Sequence, residues 1–166
     1  MVLALLLSIL PSLSGPSLYT RFQKKIMKQV AQLFEGEVTL HKDPHLNASR
    51  SSRPFELLLI ETSGGSQVGY LILSEAPSKV EKFSYMVIFN QNGVILAVSI
   101  LQYRENYGGE ISSKRFLRQF VGKTNGKQMS LNQDIDGISG ATISAMSITR
   151  AIREDSEWIM KYTKHD

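Results

Sequence analysis

The sequence contains no cysteine. That absence excludes a disulfide framework, thiolate zinc sites, iron–sulfur clusters, thioether-linked haem and any cysteine nucleophile, so redox chemistry in this chain has to rest on a non-thiol cofactor. Histidine is scarce too, with only His41, His45 and His165 present. His41 and His45 stand four apart, but Pro44 breaks the helix that would align them, and a solvated loop is the expected setting rather than a metal site. Charge is nearly balanced, at 19 Lys and Arg against 15 Asp and Glu for a formal net charge of +4. No aromatic-studded basic stripe accompanies that excess, so nucleic acid is not an expected partner. No G-x-G-x-x-G string follows any apolar run, which argues against direct oxidation of a nicotinamide dinucleotide by this chain alone. What is present is a globular composition, 166 residues with 42% hydrophobic and 20% charged, suited to a single core.

The first thirteen residues, MVLALLLSILPSL, carry no charged side chain and lead into Ser14, Gly15, Pro16 and Ser17. An apolar run of about 12 residues is short of the roughly 20 that span a membrane, and it reads as a secretory signal. Ser12 and Ser14 supply the small residues for cleavage near Ser14, leaving 15–166 as one domain. No Lys or Arg precedes the run, so an upstream start or an uncleaved short anchor is the alternative. The expected location is exported, periplasmic or on the outer face of the cytoplasmic membrane.

Phe22, Ile26, Val30, Leu33 and Phe34 repeat with helical spacing, predicting an amphipathic helix over 18–34 that stops at Gly36. Val38 and Leu40 suggest a short strand, and a polar loop over 43–53 follows. Two hairpins come next: 55–61 and 68–73 about Ser63-Gly64-Gly65-Ser66, then 83–89 and 94–101 about Asn90-Gln91-Asn92-Gly93. A loop over 103–111 leads to a helix over 112–121 ended by Gly122, and a last helix runs over 141–162 with Ile148, Ala151, Ile152 and Ile159 on one side. The predicted fold class is α+β, a twisted antiparallel sheet of two hairpins with packed helices.

The string that opens the last helix is Asp134-Ile135-Asp136-Gly137-Ile138-Ser139-Gly140-Ala141-Thr142-Ile143-Ser144. Ser139, Gly140 and Ala141 leave the Thr142 hydroxyl flanked by little bulk, and Gly137 and Gly140 permit sharp turns and close approach to a ligand. A helix start also offers unpaired N–H groups and the positive end of the dipole to an anion such as phosphate. Taken singly, these features also suit an ordinary N-cap.

As a whole, Asp136, Ser139, Gly140, Ala141 and Thr142 closely resemble the flavinylation motif of the FMN-binding domain family, whose members include flavin-carrying components of the Rnf electron-transport complex and of the sodium-translocating NADH:quinone oxidoreductase. The resemblance extends over about 69–162, with Glu105 and Gly108 matching a family loop whose other residues differ here. It implies FMN joined through its phosphate to Thr142 by a separate flavin transferase that uses FAD as donor. It also implies that amides of Ala141, Thr142, Ile143 and Ser144 hold the phosphate, and that Asp136 serves recognition by the transferase or shapes the loop. The ring would lie on the 103–109 loop, with Tyr103, Tyr107 and Trp158 as candidate contacts and Arg104, Lys114 and Arg115 offsetting its charge. The implied function is an electron-transfer flavoprotein working between envelope donor and acceptor proteins, with no catalytic residue of its own assigned. The alternatives are a small extracytoplasmic flavin reductase and a ligand-binding or sensory domain without flavin.

The reading of the first residues is checked on protein recovered from the cell envelope, which is expected to begin near Gly15. Intact Met1 on soluble cytoplasmic protein would remove the export expectation.

Overall fold

The computed structural model describes residues 16–43 and 54–164. The signal reading, His45, His165 and nearly all of the 43–53 loop lie outside the described residues.

Helix α1 (Leu18–Val30) starts where Ser17 Oγ accepts the Thr20 amide at 3.2 Å and Glu56, reaching across from the sheet, accepts the Leu18 and Tyr19 amides. A carboxylate there complements the positive end of the helix dipole. The helix ends four residues before position 34, because Gln32 and Leu33 donate to carbonyls three residues back and tighten the last turn. Gly36, at φ +79°, then reverses the chain.

Five strands follow: β1 (Val38–Lys42), β2 (Phe55–Thr62), β3 (Gln67–Pro77), β4 (Lys82–Asn90) and β5 (Ile95–Gln102). They lie in sequence order, each antiparallel to the next. The two hairpins thus join in one antiparallel sheet, as expected. β3 and β4 pair from Gly69↔Asn90 to Pro77↔Lys82, and the short strand around Val38 adds a fifth member to the edge. At the β4–β5 turn only Gly93 takes a positive φ, +72°. Asn90 Oδ1 accepts the amides of Asn92 and Val94 at 2.9 and 3.0 Å, holding the turn so that Asn92 is spared that strain.

The strand period of two sends alternate residues to opposite cores. Tyr70, Ile72, Phe83, Tyr85, Val87 and Phe89 face one side, whereas Leu71, Leu73, Met86 and Ile88 face the other, where they meet Ile26 and Val30 of α1. Every residue from Phe83 to Phe89 is buried, as a strand covered on both faces requires.

The helix expected over 112–121 is in fact three pieces: a 3₁₀ turn Gly109–Ser112, α2 (Lys114–Leu117) and a 3₁₀ turn Arg118–Phe120. Ser113 has extended backbone (ψ 138°) and its Oγ accepts the Phe116 amide at 3.4 Å, so the chain restarts there instead of running through. Phe116, Leu117 and Phe120 still face the core, as their spacing predicts. Helix α3 (Thr142–Tyr162) covers the first face with Ala145, Ile148, Ala151, Ile152 and Ile159. No helix among the described residues is long and apolar enough to cross a membrane.

Within this core the Tyr85 hydroxyl donates to Asp155 Oδ2 at 2.6 Å, tying β4 to α3. Tyr85→Phe keeps the ring but leaves the buried carboxylate short of a donor, and is expected to cost about 1–3 kcal/mol in urea unfolding. A change below about 0.5 kcal/mol would show that this bond does not hold the helix to the sheet.

Candidate functional site

Three segments meet at one end of the sheet: the β3–β4 turn at 78–81, the loop that leaves β5 at 103–109, and the start of α3. Between them opens a cleft of about 700 Å³ lined by residues 78–81, 104–108 and 140–144. That size lies in the range of small-molecule and cofactor sites, about 300–1,000 Å³.

Hydroxyl groups join the three segments. Tyr103 Oη lies 2.7 Å from Ser144 Oγ and 2.9 Å from Ser78 Oγ, and the two serines are 2.8 Å apart. Tyr103 also donates to the Tyr107 carbonyl at 2.9 Å, which curls the loop back over the network. Gly108, at φ +86°, fits against it; a Cβ there would stand 2.5 Å from Tyr103 Oη and 3.1 Å from Ser144 Oγ. Here a glycine is needed for both backbone angle and space.

Glu105 ties the loop to the turn. Its Oε1 accepts the amides of Glu81 at 2.8 Å and Val80 at 3.0 Å. These donors, that of Glu81 foremost, hold its carboxyl below the ordinary value of 4.5, helped by Ser78 and Lys79.

Gly140 turns the chain into α3 at φ +82° and has open space around it, so the angle rather than a close neighbour is what requires glycine. Gly137 differs: a Cβ there would meet Asn132 Oδ1 at 2.6 Å. The Ala141 amide is spent on the Ile138 carbonyl at 3.1 Å and cannot serve an anion as expected. The first helical bond runs from Ala145 to Ala141, and no side chain caps the helix. The amides of Thr142, Ile143 and Ser144 are therefore the donors of the uncapped first turn. Thr142 is exposed at the first helical position, whereas Ser144 is 3% exposed and committed to Tyr103 and Ser78. Around the cleft stand unusually exposed apolar side chains, Val80 at 82%, Tyr107 at 84% and Ile143 at 54%.

Of the residues expected at the site, Gly140, Ala141, Thr142, Ile143, Ser144, Glu105 and Gly108 line this cleft. Asp136 and Ser139 do not; they line a neighbouring notch of about 250 Å³ with Arg115, Phe116 and Gln119. Tyr103 contributes its hydroxyl, while its ring packs on Phe83 with centroids 5.6 Å apart. Trp158 lies far along α3, stacked on Tyr162 and edge-on to Phe55. Arg104 lines the cleft but is engaged with Glu75, Gln102 and the Lys82 carbonyl, and Lys114 lines neither cavity. The 78–81 turn carries no motif, and its part in the site is not legible from the chain. Among the described residues no cluster of three or more His, Asp or Glu is arranged to hold a metal.

Compared with known proteins, the chain matches the family model of the FMN-binding domain over residues 80–155. That span includes most of the cleft, the notch and the first two thirds of α3. No curated protein matches the chain.

The lowered pKa of Glu105 makes its contribution pH-dependent: present above the unfolded value near 4.5, lost as pH falls through the lower folded value. The difference in urea midpoint between wild type and Glu105→Gln should be clear at pH 7 and smaller at an acid pH below the folded value of Glu105. An equal difference at both pH values would mean that the carboxylate charge does not hold the turn.

Proposed function

We propose that the chain, whose residues 80–155 match the family model of the FMN-binding domain, is an exported electron-transfer flavoprotein with FMN esterified through its phosphate to Thr142. The observation that carries this reading is an exposed threonine hydroxyl on the uncapped first turn of α3, opening into the cleft of about 700 Å³. The residues present fit the group. The amides of Thr142, Ile143 and Ser144 suit a phosphodiester, whose remaining negative charge the positive end of the helix dipole favours by about 0.3–1 kcal/mol. Val80, Tyr107 and Ile143 offer apolar surface to a flat ring, and Glu105 and Gly108 fix the loop that carries Tyr107. Bound there, the flavin would supply the electron transfer.

Thr142 acts as an acceptor. Its oxygen takes the phosphorus of the FMN half of FAD, the pyrophosphate bond breaks, AMP leaves, and the hydroxyl proton passes to a base of the flavin transferase. That enzyme is one partner, and an electron donor and an acceptor in the envelope are the others. Ser144 is the nearest competing hydroxyl, and its burial and bonds to Tyr103 and Ser78 withdraw it from the reaction.

Co-produced with a flavin transferase and exported, wild type should stay yellow after denaturation and gain the mass of one FMN less one water. Thr142 caps nothing, so Thr142→Ala is expected to change stability by less than about 0.5 kcal/mol and to carry no covalent flavin. Ser144→Ala is expected to lose roughly 0.5–1.5 kcal/mol with its hydrogen bonds and to keep the flavin. Covalent flavin on Thr142→Ala, or none on wild type beside an active transferase, would overturn the proposal.

A further inference from the structure

Between the last turn of the 130–135 segment and α3 the chain is held at few points. Ser130 accepts the amides of Gln133, Asp134 and Ile135, and Asn132 donates to Ile135 at 2.7 Å, so that turn is well fixed. From Asp136 to Gly140, Ile138 packs against the core and the Ala141 amide bonds its carbonyl, while the polar hold on Asp136 comes from one side chain, Gln119. Gln119 Oε1 accepts the Asp136 amide at 2.7 Å, and its Nε2 donates to the Asp136 carbonyl at 3.3 Å. One amide thus satisfies both backbone groups of one residue.

The grip is anchored. Gln119 sits in the 3₁₀ turn Arg118–Phe120 beside buried Phe120, and Gly122 and Lys123 just beyond it exchange backbone bonds with Ile95 of β5. The Asp136 carboxylate, by contrast, is exposed and has no partner among the described residues. It does not form the Asx turn that would let it shape its own loop. The loop is shaped by Gln119, and the carboxylate is left facing solvent beside the notch that Gln119, Arg115 and Phe116 line.

We propose that Gln119 is a positioning residue for flavin transfer: its amide fixes the Asp136 backbone so that the Asp136 carboxylate and the Thr142 hydroxyl meet the transferase as one preset pair. The inference rests on the proposed function above. Freed from Gln119, Asp136 is joined to the core-packed Ile138 through Gly137 alone, and its carboxylate samples more arrangements relative to Thr142. Only a fraction would then match the transferase, so apparent affinity falls by that fraction while turnover at saturation stays the same.

The test is steady-state flavin transfer from FAD by a flavin transferase with the acceptor chain varied, read alongside the melting temperature. Gln119→Met, of similar shape without the hydrogen bonds, is expected to raise KM for the acceptor chain roughly ten-fold and to leave kcat within about two-fold. Gln119→Glu keeps an acceptor for the 2.7 Å bond and should fall between. Asp136→Asn should lose much less in the Gln119→Met background than in wild type, because both changes strike one contact. An unchanged KM in Gln119→Met, a loss confined to kcat, or full independence of the two substitutions would overturn the role of Gln119 while wild-type flavinylation still stood. Absence of flavin from wild type would overturn the function on which it rests.

Discussion

Three hydroxyl groups, those of Ser78, Tyr103 and Ser144, lie 2.7–2.9 Å from one another, and the site depends on their contact. Each hydroxyl proton has an acceptor: Tyr103 donates to the Tyr107 carbonyl, and the protons of Ser78 and Ser144 go to oxygens within the trio. A network satisfied in this way rigidifies what it joins, whereas a half-satisfied one would be costly at the edge of an apolar core. It joins the β3–β4 turn, the end of β5 and the first turn of α3. The cleft is the space these three leave.

The sheet supplies the other half of the constraint. Because β3 and β4 are buried on both faces, by α1 on one and by α3 on the other, no ligand can lie against the middle of the sheet. Loops at its ends are what remain for function. The start of α3 falls at such an end, so its uncapped amides and Thr142 open to solvent while Ala145 and Ile148, a turn or two on, are in the core.

Much of this is legible in the chain because it is local. Alternation marks the strands around Tyr70 and Met86, helical spacing marks Ile148 to Ile159, and Gly140 and Thr142 mark the turn into α3. What is not legible depends on residues far apart in sequence. Ser78 is 66 positions from Ser144, and nothing near either one signals the other. Gln119 stands 17 positions from Asp136 on a segment whose periodicity suits one helix, where it would pass for a solvent-facing residue. The aromatic character of Tyr103 points to a ring contact, yet Phe83 takes the ring and the hydroxyl does the positioning. Over 112–121 the chain is not one helix, because a capping serine inside an apolar pattern leaves the pattern intact while breaking the backbone.

Of several hydroxyl groups near the start of α3, one, that of Thr142, is proposed to receive the flavin. Cleavage after Lys127 and Arg150 releases residues 128–150 as one peptide, holding Ser130, Ser139, Thr142, Ser144, Ser147 and Thr149 together. Fragmentation of that peptide from flavinylated protein by tandem mass spectrometry should place the whole adduct on Thr142. An adduct on Ser139 or Ser144 would contradict the account.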